Sequence, residues 1–303
     1  MLFYGQGFSI GQHNNVIDQY VFIMPELPEV ETTRLGLLPL INSEVDKVII
    51  RNASMRWPIP NHLHQTLVGS TLVELSRRAK YILAKFQFAN SQCGTLLLHL
   101  GMSGRIKLLE VDEPAQKHDH FDIHFKAQGL KTGQVLRLRD PRRFGAVLWA
   151  GAEPLTHSLL SVLGPEPLDD AFTGQYLLSS IHTRSMAIKN VIMDSHLVVG
   201  VGNIYASESL FRAKIDPQTP ANKLSLVNSE RLVGQIKTTL RDALAAGGSS
   251  LRDFFGTDGN PGYFQQEYFV YGRAGQPCKV CGNAIKMVRL GQRSTFYCSV
   301  CQK

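Results

Sequence analysis

A methionine followed by a proline and three carboxylates, within residues 24–31, combines residue types that can do covalent chemistry. If Pro25 began the mature chain, its nitrogen would be a free secondary amine. An α-amine with a pKa of about 7.7–8.0 is partly nucleophilic at neutral pH. Such an amine can attack an electrophilic carbon and form an iminium, whereas an amide nitrogen inside a chain cannot. The alternative is a helix entry, in which Pro28 fixes φ and the acidic side chains favour the helix N-terminus.

The four cysteines near the C-terminus have the spacing of a metal site. Cys278 and Cys281 form one Cys-x-x-Cys pair, Cys298 and Cys301 form a second, and sixteen residues separate the pairs. Four thiolates in this arrangement bind zinc tetrahedrally and leave no open position, so the spacing predicts one structural Zn²⁺ ion. Two disulfides are the alternative, but they need an oxidising compartment that no other feature of the sequence indicates.

The segment between the cysteine pairs is basic and aromatic. Lys286, Arg289 and Arg293 accompany Phe296 and Tyr297, and the last 28 residues contain five basic residues and no acidic one. Cations beside aromatic side chains suit a finger that grips phosphates, and a solvated basic surface is the open alternative. The whole chain has a net charge of +7 and a pI of about 9.2, which favours a polyanionic partner.

Length and composition limit the class of protein. A chain of 303 residues can hold two or three domains with a sizeable core, and 44% hydrophobic with 19% charged residues is typical of a globular protein. No apolar run approaches the roughly 20 residues that a membrane-spanning helix needs. We therefore expect no membrane partner.

The first 23 residues differ from the rest, because they contain one acidic residue, Asp18, and no Lys or Arg. This composition argues against a secretory signal and against a mitochondrial transit peptide. Two interpretations remain, a weakly ordered tail or a start codon assigned upstream of the true one, and we prefer the second. Translation would then begin at Met24, and removal of the methionine would expose Pro25.

Hydrophobic patterns indicate the elements that must hold these residues. From Pro28 an amphipathic helix is expected to end near Pro39. Apolar residues alternate with Asp122 and His124, which predicts a half-buried strand. Past Pro154 and up to about Ala246 the pattern is mainly helical. The β-like runs are residues 45–50, 71–75, 81–88, 95–100, 121–125 and 135–138.

Six further motifs carry a specific resemblance. They are residues 77–81 (RRAKY), 99–104 (HLGMSG), 117–120 (KHDH), 140–145 (DPRRFG), 197–208 (LVVGVGNIYASE) and 292–298 (QRSTFYC). With them, the chain from Met24 to Lys303 resembles the bacterial formamidopyrimidine-DNA glycosylases, which repair 8-oxoguanine and ring-opened purines. Leu27, where the sister endonuclease VIII branch has glycine, favours this branch.

The resemblance implies four catalytic residues. Pro25 would attack C1′ of the damaged nucleotide and expel the base, and Glu26 would handle protons on the sugar, a general acid/base role that suits a carboxylate. Lys80, beside two arginines at a strand entry, would contact phosphate and assist β-elimination, although its local pattern alone predicts a solvated lysine. Arg293 would bind the lesion phosphates and assist δ-elimination.

The resemblance also implies DNA-binding residues. Met102, Arg142 and Phe144 would fill the hole left by a flipped base, because a thioether, a planar cation and an aromatic ring can each replace stacking or pairing. By residue type alone, Met102 and Phe144 would be core residues. His118 matches another DNA-contacting position, and the Gly/Ser-rich loop 247–262 matches the loop that closes over the everted base.

Asn203 follows a Gly-Val-Gly turn and precedes a helical run, which predicts an N-cap position. A helix N-terminus favours phosphate, so phosphate binding and a plain helix cap both remain open from the local sequence. The resemblance implies that Asn203 binds the lesion phosphates together with Arg293. One departure from the family is Ser185, which stands where a basic, DNA-contacting residue is common.

These observations predict an α+β fold, with an N-terminal β-sandwich opened by a helix, a helical helix-two-turns-helix domain and a C-terminal zinc-ribbon finger. The predicted boundaries are an extension over 1–23, the catalytic sandwich over 24–150, the helix-two-turns-helix domain with the lesion-capping loop over 151–275, and the zinc finger over 276–303.

The predicted function is a bifunctional DNA glycosylase and AP lyase, a cytoplasmic monomer with one structural Zn²⁺. Its predicted partner is double-stranded DNA that contains oxidised purines. Two alternatives stay open. One is a glycosylase of the same family that prefers oxidised pyrimidines. The other is a non-catalytic zinc-ribbon DNA-binding protein in which the extension keeps Pro25 blocked.

Overall fold

A computed structural model of the chain describes residues 25–111, 113–127, 133–247 and 268–303. The predicted extension and nearly all of the predicted capping loop lie outside these residues. The helices are α1 (Leu27–Gly36), α2 (Leu63–Leu67), α3 (Gly174–Ile181), α4 (Ile188–Ile192), α5 (Asn203–Arg212) and α6 (Leu226–Ala245). The strands are β1 (Val45–Ile50), β2 (Thr71–Arg78), β3 (Tyr81–Gln87), β4 (Cys93–His99), β5 (Arg105–Glu110), β6 (Asp119–Phe125), β7 (Gln134–Arg139), β8 (Ala146–Gly151), β9 (Lys286–Leu290) and β10 (Arg293–Tyr297).

Strands β1 to β8 form two antiparallel four-stranded sheets, in the orders β1-β6-β7-β5 and β2-β3-β4-β8. Apolar side chains from both sheets and from α1, among them Val30, Leu96 and Phe121, share one buried core. Two sheets stabilise each other by covering their apolar faces in this way. The predicted sandwich opened by a helix is therefore confirmed.

Each predicted β-like run overlaps a strand, but within the sandwich β5 and β8 were not predicted. The pattern of β5 mixes charged and apolar residues, and β8 is an apolar run without the alternation that marks a half-buried strand. The opening helix α1 ends at Gly36 rather than near Pro39, because residues 38–40 tighten into a 3-10 turn that contains Pro39.

Strand β6 is buried on both faces, so the prediction of a half-buried strand is wrong. Asp122 is fully buried and forms ion pairs with Arg51 at 2.7 Å and Arg137 at 2.8 Å. Although burial opposes ionisation, hydrogen bonds from these two guanidinium groups lower the pKa of the Asp122 carboxyl. A buried carboxylate is tolerated here because it is paired.

Helices α3 to α6 enclose a second core that includes Ile192, Tyr205 and Leu232. Side-chain caps start two of these helices: Thr173 Oγ1 accepts the Tyr176 N–H at 3.0 Å, and Ser225 Oγ accepts the Asn228 N–H at 3.2 Å. Within the described residues, none of the helices combines the length and the apolar character that crossing a membrane requires.

The C-terminal finger is a hairpin of β9 and β10 beside the cysteine cluster. The strands pair antiparallel from Arg293 opposite Leu290 to Tyr297 opposite Lys286. The Gln302 side chain donates to the Ile215 carbonyl at 2.9 Å, which fixes the finger to the helical region. The α+β fold class with a helical middle region and a C-terminal finger is thus confirmed.

Candidate active site

A cavity of about 800 Å³ opens between the sandwich, the helical region and the finger. It brings together side chains that are far apart in the chain, and six of the nine predicted catalytic and DNA-binding residues line it. They are Pro25, Lys80, Met102, Arg142, Phe144 and Arg293. Three other predicted residues, Glu26, Asn203 and His118, do not line the cavity.

Glu26 is fully buried, and the first turn of α5 holds its carboxylate. The Glu26 oxygens accept backbone N–H groups of Gly202 at 3.0 Å, Ile204 at 2.9 Å and Tyr205 at 3.2 Å. Burial raises the pKa of Glu26 to about 7, against the opposing charge of Lys80 and the helix N–H groups. A carboxyl that titrates near neutral pH can both accept and return a proton.

Gly202, not Asn203, occupies the N-cap of α5, so the predicted N-cap position of Asn203 is wrong by one residue. The acceptor that an N-cap side chain would supply comes instead from Glu26. A Cβ at position 202 would lie 2.3 Å from Glu26 Cδ, so a glycine is needed for this approach. The same loop accepts the Leu27 N–H at the Gly200 carbonyl, 3.2 Å away.

Glu29 links the start of α1 to the interior of the helical region. Its Oε2 accepts the Glu26 N–H at 2.9 Å, and its Oε1 accepts the Tyr205 hydroxyl at 2.7 Å. Both Glu29 and Tyr205 are buried. Glu26, the residue after Pro25, is therefore held in two ways. Glu29 accepts its backbone N–H, and the N–H groups at the start of α5 donate to its carboxylate.

Lys80 lies in the turn between β2 and β3, as its predicted strand entry implies. The preceding residue, Ala79, has a φ of +55°, and its N–H donates to Glu166 Oε1 at 2.7 Å. Glu166 also pairs with Arg77 at 2.7 Å and Arg78 at 2.9 Å, so the turn is clamped to the segment that enters the helical region. Burial lowers the pKa of the Lys80 ammonium, although Glu26 and Glu29 oppose the shift.

Asn203 is held by a buried lysine. The Lys189 ammonium donates to Asn203 Oδ1 at 2.5 Å and to Thr295 Oγ1 at 2.8 Å, and the Asn203 amide donates to the Ser294 carbonyl at 3.0 Å. Burial lowers the pKa of Lys189 to about 8. These contacts tie the start of α5 to β10, the strand that begins with Arg293, a cavity-lining residue.

Met102, Arg142 and Phe144 stand together at the cavity. Phe144 is 41% exposed and Met102 is half-buried, so neither is a core residue. The Arg142 guanidinium lies 4.8 Å from the centroid of the Phe144 ring, a cation–π distance. His118 is half-buried outside the cavity, and its carbonyl accepts the Asp140 N–H at 3.0 Å.

The four cysteines of the finger converge. Their sulfur atoms all lie within 4.8 Å of one another, with Cys278 Sγ 3.9 Å from Cys301 Sγ and Cys281 Sγ 3.4 Å from Cys298 Sγ. Tetrahedral Zn–S bonds of about 2.3 Å place sulfurs close to such separations. The residues therefore fit one structural zinc ion, and a four-thiolate set offers no position for a substrate.

Comparison with known proteins matches each of the three regions to a family model. The family model of the formamidopyrimidine-DNA glycosylase N-terminal domain matches residues 24–147, that of the glycosylase H2TH domain matches 163–255, and that of a zinc finger found in FPG and IleRS matches 275–303. The chain is 65% identical over 280 residues to the formamidopyrimidine-DNA glycosylase of Methylobacillus flagellatus, covering 92% of this chain and 97% of the relative. The chain belongs to the formamidopyrimidine-DNA glycosylase family.

Other members agree in sequence and in structure. The glycosylase of Pseudomonas aeruginosa is 53% identical, with 92% of this chain and all of the relative covered. The crystal structure of Lactococcus lactis Fpg with DNA containing an abasic site superposes with a TM-score of 0.81 at 32% identity, over 92% of this chain and 100% of the other. The Thermus thermophilus MutM structure gives 0.78 at 34% identity, over 92% and 98%.

The local sequence did not single out two side chains at or next to the cavity, Lys189 and His99. Lys189 is fully buried and holds Asn203. His99 lines the cavity, and burial lowers the pKa of its imidazole to about 4. Its Nδ1 accepts the Gly101 N–H at 3.1 Å, so the proton of the neutral ring sits on Nε2. The signal for both was a charged or titratable side chain inside an otherwise apolar run.

Proposed function

We propose that this chain is a bifunctional DNA glycosylase and AP lyase. It excises oxidised purines, 8-oxoguanine and formamidopyrimidines, from duplex DNA and nicks the strand by β,δ-elimination. One observation carries the proposal: Pro25 and Lys80 line the same cavity. Burial raises the pKa of the neighbouring Glu26 to about 7, which suits a general acid/base. Family membership supports the substrate class.

Pro25 supplies the nucleophile. Its nitrogen lone pair attacks C1′ of the damaged nucleotide, the glycosidic bond breaks, and the base leaves with the bonding electrons and takes up a proton. The Pro25 nitrogen then loses its proton, the C1′–O4′ bond breaks, O4′ takes up a proton, and a cationic iminium joins the nitrogen to C1′ of the opened sugar. Because the iminium withdraws electrons, loss of a C2′ proton expels the 3′ phosphate, and loss of a C4′ proton then expels the 5′ phosphate. Glu26 accepts and returns protons during these steps.

This chemistry needs a free amine at Pro25. We propose that the active enzyme begins there, through translation from Met24 and methionine removal or through proteolysis. In the full sequence, 24 residues precede Pro25. A chain that keeps them holds an amide at this position and would bind DNA without cutting it.

Two groups of side chains hold the substrate, one that binds phosphates and one that fills the space left by the everted base. Lys80 assists β-elimination and contacts phosphate, while Asn203 and Arg293 bind the lesion phosphates, with Lys189 holding the Asn203 carboxamide oxygen. Met102, Arg142 and Phe144 fill the void left by the everted base. His118 contacts DNA outside the cavity. The enzyme acts as a monomer on chromosomal DNA in the cytoplasm.

A paired substrate comparison tests this function. Protein with Pro25 at its N-terminus is expected to release 8-oxoguanine opposite cytosine at least tenfold faster than dihydrothymine from a matched duplex, measured under single-turnover conditions. The reverse preference would assign the oxidised-pyrimidine activity of the same family. Binding to both duplexes without release from either would indicate a DNA-binding protein that is non-catalytic even when Pro25 is free.

Removal of one zinc ligand tests the structural role of the metal. In Cys298→Ser we expect the zinc content to fall from one ion per chain to none. The affinity for duplex DNA should fall at least tenfold, because the hairpin that carries Arg293 loses its anchor. Metal analysis and fluorescence anisotropy measure the two effects. Cys93→Ser is the matched control, since Cys93 begins β4 and is no member of the cluster. A zinc-free Cys298→Ser protein with normal affinity would contradict this role.

A further inference from the structure

Two crossovers between the sheets run side by side at one end of the sandwich. The first, residues 100–104, joins β4 to β5, and the second, residues 140–145, joins β7 to β8. Each connects one sheet to the other. Their ends are paired in register, with His99 opposite Ala146 and Arg105 opposite Arg139. The first crossover carries Met102, and the second carries Arg142 and Phe144; these three side chains are called the wedge residues below.

The crossovers touch backbone to backbone. Gly101 has a φ of +63°, and a Cβ there would lie 2.3 Å from the carbonyl carbon of Phe144. A Cβ at Gly145 would lie 2.7 Å from the His99 carbonyl oxygen. No side chain fits between the two segments at these points, so neither crossover can move closer to the other.

Asp140 joins the crossovers through its side chain. This carboxylate is completely buried. Its Oδ1 accepts the Ser103 hydroxyl at 2.6 Å and the Arg142 N–H at 3.2 Å, and its Oδ2 accepts the Gly145 N–H at 2.7 Å. Ser103 Oγ in turn accepts the Arg142 N–H at 3.3 Å. A buried carboxylate requires such donors, and here one of them comes from the opposite crossover.

The second crossover is held at its base as well. The Asp140 carbonyl accepts the Arg143 N–H at 3.2 Å and contacts His120 Nε2 at 2.9 Å. Arg143 has a φ of +58°, a left-handed conformation that a non-glycine residue adopts only when its surroundings impose it. The segment between Asp140 and Gly145 is therefore a preformed turn that projects Arg142 and Phe144.

We infer that the Ser103–Asp140 hydrogen bond is a latch that makes Met102, Arg142 and Phe144 enter DNA as one preassembled wedge. The inference rests on the proposed function and extends it to two positioning residues, Ser103 and Asp140, neither of which lines the cavity. Contacts made by the inserted side chains must offset the free-energy cost of unstacking a base pair. If the two loops are already ordered in the free protein, binding loses less conformational entropy, and more of the contact energy remains to offset this cost.

Ser103→Ala removes the latch and leaves the backbone in place. We expect excision of 8-oxoguanine from a duplex to fall about tenfold in kcat/KM. Borohydride trapping on single-stranded abasic DNA has no partner strand and no void to fill, so its rate should stay within twofold of wild type. Ser103→Thr keeps the hydroxyl and should restore duplex excision.

The outcomes separate the latch from the chemistry. Duplex excision by Ser103→Ala within twofold of wild type would overturn the latch. So would an equal fall in duplex excision and single-strand trapping, because it would indicate a general defect. The melting temperature of the variant checks that it is folded. Wild-type protein with Pro25 free that neither excises nor traps would overturn the proposed function itself.

Discussion

Pro25→Gly, in chains that begin at residue 25, is expected to reduce base excision about 100-fold while the affinity for lesion DNA changes less than threefold. Glycine still offers an amine, but it is primary, and no ring fixes its direction toward the cavity. Misplacement of a reacting group by about 1 Å can cost roughly 10²-fold. Single-turnover excision and binding to an uncleavable abasic analogue measure the two effects.

The chain itself supplies a stricter control for Pro25. A protein that retains the residues before Pro25 has every side chain in place but an amide at the nucleophilic nitrogen. It is expected to bind the same duplex and to give no excision above background. Wild-type excision rates in either protein would refute the assignment of the nucleophile.

Glu26→Gln is expected to lower excision by about 10²–10⁴-fold, the range for loss of a general acid/base. Wild-type excision should show a titration near pH 7, the pKa to which burial raises Glu26, and the variant should lack it. The amide cannot replace the carboxylate at every contact, because its NH₂ group cannot accept a helix N–H. A variant with normal rates and an unchanged pH profile would remove Glu26 from the mechanism.

Glu26→Gln is also expected to change how the free energy of unfolding depends on pH. The folded-state pKa of Glu26 is raised from 4.5 to about 7, so its contribution to the free energy of unfolding is present below pH 4.5 and lost as the pH rises through 7. Between these limits, wild type should lose about 3 kcal/mol relative to Glu26→Gln. Glu31→Gln is the matched control with the opposite sign. Hydrogen bonds from Arg34 lower the pKa of Glu31 against the effect of burial, so its contribution is lost as the pH falls.

The features that local sequence determines were predictable. The spacing of Cys278, Cys281, Cys298 and Cys301 fixes the metal and its ligands, because two Cys-x-x-Cys turns can close on one tetrahedral ion. The six strands that were predicted carry period-2 or apolar patterns within a few residues. Composition and motifs indicated the sandwich, the helical region and the finger, because the spacing of hydrophobic residues and the turn residues differ between them.

The features that arise from contacts distant in sequence were not predictable. Glu26 receives its helix N–H groups from residues that follow it by more than 170 positions, so no local pattern marks Gly202 as the N-cap of α5. Lys189 and Asp122 are buried because partners elsewhere in the chain pair with them, whereas their residue types alone predict exposure. The family motifs compensate in part, because they name residues whose surroundings the local sequence cannot supply.

Borohydride trapping, with mapping of the cross-linked peptide, tests the central claim most directly. Protein expressed from its native gene is mixed with an 8-oxoguanine:cytosine duplex, reduced, digested and analysed by mass spectrometry. The account predicts one cross-link, on an N-terminal Pro25, which would establish the nucleophile, the lyase step and the active N-terminus together. A cross-link on Lys80 or another lysine, or no cross-link in protein whose N-terminus is Pro25, would contradict it.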